Sequence, residues 1–407
     1  MIYQDEFPVA LNWQTETDRL LEQGLKRWAD KQVMAKRLEF HEDYDKLLLP
    51  AMKSLFVDMG LQNLVWPEEK GGAGLSSPTL ANTCAMILEQ VARADVGIAL
   101  NLANNLTIQA SFGIAHFVNQ SNLDTWQSLF FLDRPVFSTL VLSGFSKNNP
   151  PSNDFFGGRS CQIMGKEIKG GWNLDGKAIR CQCAGKDADF FGAFFTDVNG
   201  KTGFALVRGD QKGVEKGAPF LKTGIAASHN AEIDFSSVNV DKEQVFFNDP
   251  DRLYRILSWY HLCCAAVFSG ASLATYEIIK DWGDNRVIKG KGQIFKNNPL
   301  CASQMGRIGQ QISLARNALY QTASIIFEGA VPMKSAFVLA QGVSSNLADM
   351  TLESINGAME LMASAGYATE WNLERYWRDV QTLRNYLGPL TSSRIESARH
   401  LYAGDAL

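Results

Sequence analysis

A chain of 407 residues, 46% apolar and 20% charged, has enough apolar material for a large core, and its length favours two or three domains over one. The formal net charge of -4, with Lys and Arg dispersed rather than clustered, leaves no basic footprint for nucleic acid. The opening stretch -MIYQDEFPVALNWQTETDRL- lacks a basic n-region and a long apolar h-region, and the densest apolar run, residues 262–274, falls short of the roughly 20 residues a spanning helix needs, so a cytoplasmic chain without membrane segments is expected.

As far as about residue 132, apolar residues recur at helical spacing, as in -TDRLLEQGLKRWAD- and -YDKLLLPAMKSLFVDMG-, which predicts a helical domain over 1–132. Within it -WPEEKGGAGLSSP- reads as a loop, and Ser77-Pro78 supplies an N-cap and a first-turn proline for the long helix -TLANTCAMILEQVARAD-. Over 133–248 the pattern changes to β-branched and aromatic runs cut by Gly, Asn and Asp, with a hairpin signal at Asn199-Gly200. A small antiparallel β-domain is expected there. Seven cysteines, none in a C-x-x-C pair, suggest neither a disulfide framework nor a zinc ribbon, and no metal site is expected. Cys181 and Cys183, one residue apart on an expected strand, would share a face as small core or site-lining residues, with a thiol role as the alternative. Over 249–407 helical periodicity returns and runs to the end, broken at -LRNYLGPLTSSR-, where Gly388 suits a helix terminus, Pro389 cannot continue it, and Ser393 with Glu396 resembles a capping box.

Several separated stretches, in order and at matching spacing, resemble the acyl-CoA dehydrogenase family. The loop -WPEEKGGAGLS- is similar to its Pro-Glu-Glu-x-Gly-Gly-x-Gly-Leu signature, and the helix after it carries Glu89…Arg93-Ala94-Asp95. The runs -KTGFALVRGDQKGVEKG- and -LKTGIAASHNAEIDFSSVNV- are similar to the family's strand pairs, and -ASAGYATEWNLERYWRDVQTLRNYLG- with -RIESARHLY- resembles its closing helices. The resemblance covers nearly the whole chain. It implies an α+β fold of N-terminal helical domain, central β-barrel-like domain and C-terminal four-helix bundle. It also implies FAD held between domains and across a subunit interface, an acyl-CoA-like substrate, and a homotetramer or dimer.

The family's reaction takes a proton from the carbon next to a thioester carbonyl and passes a hydride from the following carbon to the flavin. It needs a base, donors for the developing enolate and a flavin flat against the oxidised bond. The base is usually the Glu of Tyr-Glu-Gly-Thr. The matching stretch here is Tyr386-Leu387-Gly388-Pro389, with Arg394 at the expected spacing, so Leu387 holds the place of the base and accepts no proton. Its backbone N–H would still polarise a bound thioester. Members that carry the base on a C-terminal-domain helix place it where this chain has Tyr260 and His261. An ordinary Tyr pKa of about 10 makes a poor base and an ordinary His pKa of about 6.5 a serviceable one, if His261 points inward rather than serving as a packed helix residue.

Flavin contacts depart from the family pattern too. The Thr-Glu-Pro-Gly-x-Gly-Ser-Asp loop is replaced by Ser143-Gly144-Phe145-Ser146-Lys147-Asn148, with a hydroxyl kept at Ser143. Arg180-Cys181-Gln182 stands for the Trp-x-Thr beside the flavin ring, where Arg180 would stack on a ring or bind an anion. Arg286 matches the arginine a neighbouring subunit lends to the pyrophosphate, followed by Ile288 and Lys289 where Thr and Phe are usual. Glu360-Leu361-Met362-Ala363-Ser364 replaces Gln-x-x-Gly-Gly, so Glu360 puts an acid near an anionic phosphate and Ser364 a side chain where glycine is usual. Pro389 removes a hydroxyl and an N–H. Three functions stay open from the residues alone: an FAD-dependent acyl-thioester dehydrogenase, a non-catalytic or half-site subunit paired with an active paralogue or with itself, and a flavoprotein acting on a non-CoA substrate.

Overall fold

Helical, strand and again helical segments follow one another along the chain. The computed structural model describes residues 1–407 apart from 40–42, 74–78, 114–126, 128–129, 145–147, 153–154, 289, 291, 329–330, 387–389 and 403–407. Expectations on Ser77, Pro78, Phe145, Ser146, Lys147, Lys289, Leu387, Gly388 and Pro389 lie outside the described residues.

The first part carries α1 (Glu16–Trp28), α2 (Leu49–Lys53), α3 (Leu80–Ala94) and α4 (Val96–Gly113). A capping box starts α1: the Asp18 N–H donates to Thr15 Oγ1 at 3.2 Å, and the Thr15 N–H donates to the Asp18 carboxylate at 2.7 Å. Helix α3 is buried all round, as expected of a helix enclosed by other helices.

The middle part is an eight-stranded sheet of β1 (Ser138–Val141), β2 (Ile163–Ile168), β3 (Gly171–Arg180), β4 (Phe190–Thr196), β5 (Thr202–Arg208), β6 (Val214–Pro219), β7 (Ala231–Asp241) and β8 (Val245–Phe247). The order is β6-β7-β3-β2-β4-β5-β8, with β1 beside β4. Strands β4 and β5 are antiparallel around the Asn199-Gly200 turn, where Gly200 takes a φ of +76°. The sheet is nevertheless mixed, not purely antiparallel as expected, because β1 and β2 both pair with β4 in parallel. The strand -FFGAFFT- is buried at every position, the pattern of a strand covered on both faces, which admits parallel neighbours. Strand β3 stops at Arg180, so the pleat does not govern Cys181 and Cys183. Both are buried, but Cys181 joins the core of the sheet and Cys183 the larger helical core, and burial pushes the Cys183 thiol up to about 12. They part company where the strand ends: Cys183 is a core packing residue, while Cys181 also lines a cavity between the sheet and the bundle.

The last part consists of α5 (Pro250–Asn285), α6 (Pro299–Glu328), α7 (Met333–Met362), α8 (Leu373–Tyr386) and α9 (Leu390–Tyr402). Asp249 caps α5, accepting from the Arg252 N–H at 3.2 Å, and Pro250 occupies its first turn. Helix α5 packs on α3 and α4 at one side and on α6 and α7 at the other. Its central apolar stretch suits a membrane span by composition, yet it is buried among these helices. At Gly270 a Cβ would lie 2.2 Å from the Glu89 carbonyl oxygen, so α5 and α3 touch backbone to backbone.

Next to that contact, three charged residues of α3 and its end bind the helical parts together. Glu89 accepts a bidentate pair from Arg316 Nε and Nη2, both at 3.0 Å, together with Ser269 Oγ at 2.6 Å and Tyr320 Oη at 3.1 Å. Arg316 also donates to the Phe7 carbonyl at 2.6 Å, and both members of the pair are fully buried. Arg93 bridges Asp30 and Glu277 at 2.8 and 2.9 Å. Asp95 accepts from the Ile98 N–H at 2.8 Å and pairs with Arg375 of α8. Removing one member of a buried pair strands the other charge, so Arg316→Met is expected to lower unfolding free energy by about 3–5 kcal/mol in a denaturant titration. Adding Glu89→Gln should restore part of that loss, and a double variant no better than the single one argues against the charge as the cause.

Candidate active site

The sheet meets the bundle around a cavity of about 930 Å³, within the roughly 300–1,000 Å³ range of ligand and cofactor pockets. Gln162 builds its β-domain wall. Its amide donates to the Leu142 and Arg180 carbonyls at 3.3 and 3.1 Å and accepts from the Arg180 N–H at 2.8 Å, which stitches the loop at Ser143 and Gly144 to the end of β3. A Cβ at Gly144 would lie 2.5 Å from the Gln162 side chain, so the close approach requires glycine. Arg180 stands at the rim, exposed, donating to Glu232 at 3.2 Å with its guanidinium 5.7 Å from the Phe220 ring centroid.

Gln182 is buried and accepts from Tyr260 Oη at 2.7 Å. Burial holds that phenol far above its usual pKa. Tyr260 thus reaches the cavity through Gln182 and does not line it, whereas His261, one residue on, does. The buried imidazole has its pKa lowered to about 3, chiefly by loss of water and secondarily by the nearby Arg159 cation. It is neutral at physiological pH, and its Nδ1 has no partner. A second polar group comes from the segment before β7, where Lys222 donates to the Ser228 carbonyl. Burial lowers its ammonium pKa to about 8, opposed by Asp379. Arg378 of α8 holds the same segment by donating to the Thr223 carbonyl at 2.8 Å.

The same cavity is lined by Glu396 of α9, which the sequence presented as half of a capping box. Helix α9 begins at Leu390, so Ser393 lies inside it and no such cap forms. The Glu396 Oε2 instead accepts from Gln341 Nε2 of α7 at 2.9 Å, and its Oε1 is buried with no hydrogen-bond partner among the described residues. Burial raises the carboxyl pKa, with the Gln341 bond and then Arg159 pulling it down. Glu396 is the single carboxylate among the described residues that line the cavity.

Of the expected site residues, Ser143, Arg180, Gln182 and His261 come together at this cavity, and Tyr386, the residue before Leu387, lines it. Leu387 itself lies outside the described residues. Arg286, Glu360 and Ser364 are not in the lining and are exposed, Arg286 just after α5 and the other two around the end of α7. Ala363, where the expected pattern has glycine, takes a φ of +50°. The backbone shape that glycine serves has thus outlived the glycine, at a cost in strain. Sequence reasoning missed Arg159, Lys222, Gln341 and Glu396, because polar residues spaced along different elements carry no shared periodicity. A Glu on a helix face that is otherwise closed by the bundle was the available signal.

The residues present fit a flavin ring in size and polarity. Among the described residues, four buried acceptor-capable atoms around the cavity, His261 Nδ1, Gln341 Oε1, Gln381 Oε1 and Glu396 Oε1, have no hydrogen-bond partner, a pattern that a polar ligand resolves.

Family models match the chain at both ends: "Acyl-CoA dehydrogenase, N-terminal domain" over residues 15–126 and "Acyl-CoA dehydrogenase, C-terminal domain" over residues 262–389. Cyclohexane-1-carbonyl-CoA dehydrogenase of Syntrophus aciditrophicus (strain SB) is 24% identical over 378 residues, covering 88% of this chain and 90% of that protein. The mitochondrial short-chain specific acyl-CoA dehydrogenase of Sus scrofa is 24% identical over 401 residues, covering 95% and 90%. Among solved structures, butyryl-CoA dehydrogenase from Megasphaera elsdenii superposes with a TM-score of 0.78 at 19% identity over 96% of this chain and 99% of that one. PigA with FAD and proline does so with a TM-score of 0.78 at 15% identity over 96% and 98%.

Because the folded pKa of His261 lies below its unfolded value of about 6.5, its contribution to stability is complete above that pH and is lost as pH falls toward about 3. The stability difference between the natural chain and His261→Leu should therefore change by about 1.4 kcal/mol per pH unit across that window, as read by urea unfolding at successive pH values. A pH-independent difference removes the buried neutral imidazole. Separately, Ala363→Gly is expected to raise the unfolding free energy by about 1 kcal/mol, an increase in urea midpoint at constant slope.

Proposed function

The chain belongs to the acyl-CoA dehydrogenase family, and from that premise we propose that it oxidises the Cα–Cβ bond of an acyl-CoA or similar thioester, with FAD as the hydride acceptor. The observation that carries the reading is the cavity itself: it lies where the sheet meets the bundle, and its unpartnered buried polar atoms converge on one space.

Ser143, Gly144 and Gln182 would hold the flavin ring from the β-domain, with Arg180 at the rim and Lys222 and Thr223 beside it. Bound there, FAD supplies the two-electron chemistry that no side chain supplies. Lys222 and Arg378 set positive charge along the wall, which favours the enolate that forms when the substrate loses its α-proton. Leu257 and Phe337 give the apolar surface that an acyl chain needs. Arg286, Glu360 and Ser364 bear on the adenosine and pyrophosphate end through assembly, as a homotetramer or dimer in the cytoplasm. Supporting that assembly, the segment that follows α5 exposes Val287 and Ile294 near Arg286, an apolar surface of the kind that marks a subunit contact.

The purified chain, as isolated and after incubation with FAD, is expected to show flavin absorbance. That absorbance should bleach anaerobically on addition of one of a short-chain, a branched-chain and an alicyclic acyl-CoA. A chain that neither retains nor takes up flavin overturns the reading, and so does a flavin that none of the three thioesters reduces.

A further inference from the structure

An acyl thioester gives up its α-proton only to a group able to take it, and Leu387, at the family's usual position, is not one. We propose that Glu396 is the proton acceptor of this site, a carboxylate carried by α9 rather than by the turn before it. The proposal rests on the reading that the cavity binds an acyl thioester.

Three observations of place and bonding support it. Glu396 is the single carboxylate among the described cavity-lining residues. Its Oε2 accepts from Gln341 at 2.9 Å and the carboxylate also takes a hydrogen bond from the Phe156 backbone, which orient the group from neighbouring elements beside the Arg159 and Arg399 cations, while Oε1 is buried and has no hydrogen-bond partner among the described residues. His261, the other candidate in the lining, is the weaker acceptor. Protonating it creates a second cation beside Arg159 in a dry site, and protonating Glu396 removes a charge from that site. Loss of water already raises the Glu396 carboxyl toward the range in which a general base works.

In the step assigned to Glu396, the Cα–H bond breaks, its proton passes to Oε1, and its electron pair moves into the thioester as an enolate. Reversal with a solvent-exchanged proton returns the labelled substrate. This enolisation is redox-neutral and calls for no oxidant, so it is measured apart from flavin reduction.

Exchange of the α-protons of the acyl-CoA panel into D₂O, followed by NMR with the full-length flavin-loaded chain, tests the assignment. In Glu396→Gln, a near-isostere that keeps an acceptor for Gln341, exchange is expected to fall by about 10²- to 10⁴-fold, with thioester affinity and flavin content unchanged. Glu396→Asp is expected to recover part of the rate. In the natural chain the exchange rate should fall on acidification through one ionisation lying above the ordinary Glu value of about 4.3. Exchange that is equally fast in Glu396→Gln overturns the assignment and leaves the dehydrogenase reading standing. Exchange that depends on Glu396 while no thioester reduces the flavin sustains the assignment and overturns dehydrogenation. A natural chain that does neither overturns both. Should the Gln variant not fold, a natural-chain rate that stays flat from pH about 4 to about 8 rejects Glu396 by itself.

Discussion

The buried pair of Glu89 and Arg316 is the constraint on which the architecture turns. Two full charges without solvent cost several kcal/mol each to bury and are tolerable only when every lone pair and N–H is met. Here the partners come from α3, α5, α6 and the N-terminal coil, so the charges are satisfied only when these elements are assembled together. The contact of Gly270 with the Glu89 carbonyl allows no slack between α3 and α5. Arg93 and Asp95 extend the clamp to Glu277 and to α8. Non-directional apolar burial would allow α5 to rotate or slide, and the Ser269 hydrogen bond to Glu89 at 2.6 Å does not.

Once α5 is held, the position of His261 follows, since it lies less than three turns from Gly270 on the same helix. The sheet presents the ends of β1 and β3 to that helix, joined by the Gln162 amide, and Tyr260 locks the junction through Gln182. The helical clamp is fully satisfied at Glu89, whereas the cavity is ringed by polar atoms that the chain leaves unmatched. Buried groups without partners cost about 1–3 kcal/mol each, a cost that a ligand relieves. The satisfied pair at Glu89 belongs to the residues that build this protein, and the unmatched atoms around the cavity to those that use it.

The turn expected to hold the base carries Leu387 in the sequence. The carboxylate that lines the cavity among the described residues is carried by α9. At Ala363 a side chain has been added while the glycine-like backbone remains. The chemistry of the cavity can differ without disturbing the packing around it, because the clamp and the cavity share no residues.

The three-part order of helices, strands and helices was legible in the sequence because periodicities of 3.6 and 2 are local properties, set by which side of an element is buried. The motif Glu89…Arg93-Ala94-Asp95 was legible as a pattern, and so was the missing carboxylate at Leu387, since both are statements about neighbours along the chain. The parallel pairing of β4 was not legible, nor was the parting of Cys181 from Cys183. Strand partners and the end of a strand are settled by long-range contacts rather than by propensity. Glu396 shows the same limit most plainly. Its spacing from Ser393 fits a cap, and only the packing of α9 against Gln341 and Arg159 turns its carboxylate into the cavity. The amino-acid sequence by itself determined the fold and the family, since each is written in local pattern. Tertiary structure alone decided which buried charges are paired and which are left facing the cavity, because that depends on residues far apart in the chain meeting in one place.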